Sequence, residues 1–112
     1  MAFERVCSLG KLREGDIAEF KVGGQTIVLI HPAGGEIVAI QEECPHQQFP
    51  LAEGQFDGKK ILTCSAHLWE FDVTTGKGVN PEDCELARYP VKVEGNDVYV
   101  DVEGIRPKRA GV

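Results

Sequence analysis

A chain of 112 residues has room for one domain, in which folding removes roughly two-thirds of the surface that the unfolded chain exposes. At 42% hydrophobic residues disorder is not the default state, and a net charge of −6 argues against a nucleic-acid partner, since binding phosphates needs a basic face. Thirteen glycines and six prolines favour tight turns over long helices, so residues 1–112 are expected to form a single, mostly β domain. The first residues, Met1 to Cys7, meet charges at once and lack the apolar stretch of a signal peptide. No run approaches the roughly 18 apolar residues of a membrane span, so the expected compartment is the cytoplasm, where cysteines stay reduced unless a metal holds them. The one basic cluster, Arg106-Pro107-Lys108-Arg109, reads as a solvated tail, and the acidic remainder suits basic partners.

In chain order, Ser8 to Gly15 reads as a turn or one short helical turn. Ile17 to Val22 alternates apolar and polar residues, the period of a half-buried strand, and Gly23-Gly24 predicts a hairpin into Thr26–Ile30. Pro32 to Gly35 predicts the next turn, followed by a third strand over Glu36–Ile40, which completes a meander. A second block is expected around Ile61–Cys64 and Trp69–Val73, with Thr75 to Gly78 as its turn. Pro81-Glu82-Asp83 suits the start of a helical turn, because proline and acids favour a helix N-terminus. In the last hairpin Val91, Val93, Val98, Val100 and Val102 alternate with polar residues around Glu94-Gly95-Asn96-Asp97. Short strands at this spacing predict an all-β antiparallel sandwich or small barrel.

Between the meander and the last hairpin lie Cys44-Pro45-His46, then seventeen residues, then Cys64-Ser65-Ala66-His67. Two thiols and two imidazoles form a four-ligand set for a soft or borderline metal. A zinc finger usually groups its cysteines in one knuckle and its histidines on one helix. Here each loop supplies one cysteine and one histidine, which suits two metal ions bridged by sulfide, with a zinc-stabilised β interaction module as the alternative. Cys7 and Cys84 lie outside the set and read as packed thiols, and His31, before Pro32, reads as an exposed loop residue.

Cys-x-His followed by Cys-x-x-His resembles the signature of Rieske ferredoxins, together with Leu51-Ala52-Glu53-Gly54 after the first loop and Phe71 to Gly76 after the second. The resemblance implies one [2Fe–2S] cluster, with Cys44 and Cys64 on the buried iron and His46 and His67 on the outer one. It also implies a cluster-binding subdomain, at about 43–85, formed by the two loops. High-potential members of the family clamp their loops with a disulfide and direct a Ser and a Tyr hydroxyl at sulfur. The corresponding positions here are Phe49 and Ala66, and Trp69 and Phe71, which implies a low potential.

In detail, Phe3 to Leu9, Cys44-Pro45-His46-Gln47, Cys64 to Phe71 and Gly78 to Cys84 resemble the ferredoxin components of bacterial toluene monooxygenases. That implies a monomeric carrier, not an enzyme, between an NADH oxidoreductase and a diiron hydroxylase. Ferredoxins of aromatic-ring dioxygenases and small subunits of nitrite reductases are the nearby alternatives. Trp69 has two readings: packing over the cluster loop, or a partly exposed face that helps to dock a partner.

Overall fold

The computed structural model describes residues 3–43, 50–64, 69–80 and 85–105. Among them, strands β1 (Glu4–Ser8), β2 (Ile17–Val22), β3 (Gln25–Ile30), β4 (Val38–Gln41), β5 (Gln55–Phe56), β6 (Ile61–Thr63), β7 (Glu70–Asp72), β8 (Lys77–Asn80), β9 (Arg88–Tyr89), β10 (Val91–Glu94) and β11 (Asp97–Val100) follow one another, with 3-10 turns at Leu9–Lys11 and Leu51–Glu53. They form three antiparallel sheets, ordered β1-β11-β10, β2-β3-β4-β9 and β5-β6-β7-β8. No helix among the described residues is long and apolar enough to cross a membrane.

The β2–β3 hairpin follows from its two glycines. Both adopt positive φ, +57° at Gly23 and +79° at Gly24, as a two-residue turn matched to the twist of its strands requires. β3 then departs from strict alternation: Ile27, Val28, Leu29 and Ile30 are all fully buried. Successive side chains of a strand point to opposite faces, so a continuous apolar run means that both faces are covered. Val28 and Ile30 enter one core with Val38, Ile40, Leu51, Leu62, Cys64, Phe71, Val73 and Leu86. Ile27 and Leu29 enter a second core with Cys7, Leu12, Ala39, Tyr89, Val98 and Val100. The meander sheet is thus the middle layer of a sandwich, with β5–β8 on one face and the terminal sheet on the other.

Three local expectations change. Glu4–Ser8 is a strand, paired with β11 near the other end of the described chain, and only the turn after it was legible locally. Val93 is exposed even though it faces the buried Val98, because β10 is the edge strand of its sheet among the described residues. His31 is not an exposed loop residue. It is half-buried, its Nδ1–H donates to the Leu12 carbonyl at 2.9 Å, and its backbone N–H donates to the Asp16 carbonyl at 3.0 Å. The turn at Arg13–Asp16 folds over it. The expected helical turn at Pro81 to Asp83 lies outside the described residues.

Candidate metal centre

The two ligand-bearing segments start and end on paired backbone. β4 runs through Gln41 to Glu43, which forms an antiparallel bridge with Pro50, while Leu51 N–H donates to the Glu42 carbonyl at 2.8 Å. The chain therefore returns beside its point of departure. Leu51 is fully buried in the core that holds Cys64, which anchors that return. Gly54 follows, and a Cβ on it would lie 2.3 Å from the Thr63 carbonyl oxygen. Only glycine lets the backbone pass so close to β6.

The second segment is closed in the same way. Cys64 N–H donates to the Trp69 carbonyl at 2.7 Å, and Thr63 pairs with Glu70 just outside that bond. Gln55, Thr63, Glu70 and Asn80 form one register row across β5, β6, β7 and β8. Beyond that row lie Gly54, Cys64, Trp69 and the exit toward Pro81, all at one end of one sheet. The topology thus brings the return of the first segment and both ends of the second to the same place.

Of the four candidate ligands, Cys64 is described; Cys44, His46 and His67 lie outside the described residues, as do Phe49, Ala66 and Cys84. Cys64 is 1% exposed and shares its core with Leu51, Leu62 and Phe71. Trp69 is half-buried against the same core, which agrees with the packing reading while leaving part of its surface open. Burial in this apolar wall suits a cysteine whose sulfur is held by a metal rather than exposed to solvent. The donor chemistry also fits: two thiolates and two imidazoles match a Rieske-type [2Fe–2S] cluster.

One further residue organises the start of the first segment, and motif reading passed it over. Gln41, 1% exposed, donates from Nε2 to the Glu43 carbonyl at 2.7 Å and accepts at Oε1 from Ala87 N–H at 2.8 Å. At the opposite end of that sheet, Gly76, in the turn between β7 and β8, packs on the chain that leads into β9: a Cβ there would lie 2.9 Å from the Leu86 carbonyl oxygen, and Leu86 N–H donates to the Gly76 carbonyl at 2.6 Å. A polar residue closing the apolar run Val38-Ala39-Ile40 was the available signal for Gln41. The same flank is acidic. Burial, reinforced by Glu19 and Glu43, raises the pKa of Glu42. By contrast, a surface hollow of about 420 Å³ lined by Leu9, His31, Glu36, Ile37, Val91 and Val93 belongs to the side of the second core and includes none of the four candidate ligands.

The chain matches the model of the Rieske [2Fe-2S] domain over residues 2–90. It is 37% identical over 98 residues to the ferredoxin component of the alkene monooxygenase system of Xanthobacter autotrophicus, covering 88% of this chain and 80% of that one. It is also 37% identical over 105 residues to the ferredoxin component of the biphenyl 2,3-dioxygenase of Rhodococcus jostii, covering 93% and 96%. Among solved structures, a chain in the complex of reduced oxygenase and oxidized ferredoxin of carbazole 1,9a-dioxygenase superposes with a TM-score of 0.77 at 27% identity, covering 88% of this chain and 91% of that one.

Proposed function

The chain belongs to the Rieske [2Fe–2S] domain family and is an electron-carrying ferredoxin, not a catalyst, and from that premise we propose its ligands and its place in an electron chain. Cys44 and Cys64 hold one iron, and His46 and His67 hold the other. Residues 1–112 form one domain, with its cluster-binding part at about 43–85. The bound cluster supplies one reversible electron per cycle. The chain's own contribution is to keep Cys64 dry in an apolar core and to fix the ends of both ligand-bearing segments at one end of the β5–β8 sheet. That convergence is the observation that carries the reading.

In this reading the protein works as a monomer in the cytoplasm, taking single electrons from an NADH oxidoreductase and delivering them to the diiron hydroxylase of a multicomponent monooxygenase. The alkene monooxygenase ferredoxin supports a monooxygenase partner, and the carbazole complex supports direct docking on an oxygenase. A dioxygenase is the second reading, favoured by the biphenyl dioxygenase ferredoxin, which is matched at equal identity over more of its length. NADH-driven turnover with candidate reductases and oxygenases, with and without this protein, separates the two. Success with a diiron hydroxylase is expected; success only with dioxygenases overturns that assignment. Elemental analysis tests the centre itself: about two irons and two acid-labile sulfides per chain are expected. Stoichiometric zinc without sulfide would overturn it.

A further inference from the structure

Gln41 is a fully buried amide at the point where the chain leaves β4 for the first ligand-bearing segment. Its Nε2 reaches the Glu43 carbonyl, which belongs to the peptide linking Glu43 to Cys44, at 2.7 Å. Its Oε1 takes the Ala87 N–H at 2.8 Å, and its backbone N–H donates to the Ala87 carbonyl at 3.1 Å. Ala87 lies where the chain rejoins the middle sheet just before β9, next to Leu86 in the core of Cys64. One side chain therefore ties the start of the first segment to the chain that leads into β9.

Only an uncharged amide satisfies both bonds without protonation. A carboxylate accepts from Ala87 N–H but offers no hydrogen to the Glu43 carbonyl, and an apolar side chain makes neither bond. Partners one step removed from a metal ligand set that ligand's direction and hence the electronic state of the metal. We propose that Gln41 is a positioning residue for the cluster: by fixing the peptide before Cys44 against Ala87, it sets how that cysteine is presented. The inference rests on the ligand assignment proposed above.

The test compares purified holoprotein of the wild type with Gln41→Leu, Gln41→Glu and Tyr89→Phe. The last is a control that breaks another cross-sheet bond, from Gln25 Nε2 to the Tyr89 hydroxyl at 2.7 Å, in the second core. Expected for both Gln41 variants are shifted g values in the reduced-state paramagnetic resonance spectrum, a displaced midpoint potential, and iron release to a chelator faster by about 10–100-fold. The control should keep the wild-type spectrum and potential. Gln41 variants with wild-type spectrum, potential and iron release would overturn the proposal. Equal changes in Tyr89→Phe would overturn it too, by showing a general loss of stability. If Gln41→Leu does not fold, Gln41→Glu carries the test, because it keeps the bond from Ala87. Failure of the ligand assignment shows separately, as a Cys44→Ser protein that retains its full iron and its native spectrum.

Discussion

Asp57 shows how much order one exposed carboxylate imposes. Its Oδ1 accepts the backbone N–H groups of Lys59, Lys60 and Ile61 at 2.8, 2.9 and 3.1 Å, shaping the turn that feeds β6 and so Cys64. These bonds, that of Lys59 foremost, hold its pKa below the ordinary aspartate value. A lowered carboxylate pKa stabilises the fold above the unfolded value of about 3.9, and that contribution fades as pH falls through the folded value. Asp57→Ala should therefore cost on the order of 1 kcal/mol in urea unfolding at pH 7, discounted for solvent exposure, and the gap from wild type should close below about pH 4. Cys7 is the opposite case. Burial raises its pKa, against the pull of Arg5 and Lys11, so the thiol stays protonated and shielded. Peptide mapping after iodoacetamide treatment at pH 8 should find Cys7 unmodified in native protein and modified after unfolding.

At the scale of elements, Gly54 decides whether the Leu51–Glu53 turn can lie on β6. Its φ of −77° suits any residue, so the demand is steric: a methyl group would meet the Thr63 carbonyl oxygen at 2.3 Å and the Leu51 carbonyl oxygen at 3.2 Å. Gly54→Ala should cost about 1–3 kcal/mol by chemical denaturation and lower the iron retained on purification, because the turn and β6 must separate beside Cys64. The elements that could be read from sequence are those whose pairing is local. β2 with β3, and β10 with β11, carry their turn residues between them and their alternation within them. β1 and β9 were missed because each is defined by a distant partner, β11 and β4, and β9 is only two residues long. The candidate ligands stand out in the sequence because each of two short segments pairs a cysteine with a histidine, whereas Cys7 and His31 stand alone. Gln41 does not stand out, since its role depends on Ala87, 46 residues away. His31 was misjudged for the same reason: its bond is to Leu12, across the fold.

For the whole molecule, the layered arrangement bears on redox potential. The middle sheet lends one face to the core around Cys64 and the other to a separate core, so the proposed ligand-bearing segments flank the first core while the terminal sheet stabilises the far side. Phe71, two residues after Trp69, is fully buried beside Leu62 and Cys64 in that core and has no hydroxyl to offer a sulfur. Hydrogen bonds to sulfur favour the reduced, more negative state, so a side chain without a hydroxyl at this position leaves the potential lower than a tyrosine would. The midpoint is expected near the lower end of the Rieske range, roughly −150 mV, in a redox titration followed by visible absorbance. Phe71→Tyr should raise it. A new hydrogen bond that favours the reduced state by about 1 kcal/mol corresponds to roughly 40 mV for a one-electron couple. A rise in Phe71→Tyr with an unchanged chelation rate places the effect on charge at the sulfurs. An unchanged potential in a folded, fully loaded variant would mean that Phe71 contributes packing alone, and that the low potential has its origin in the segments flanked by Glu43 and Pro50 and by Cys64 and Trp69.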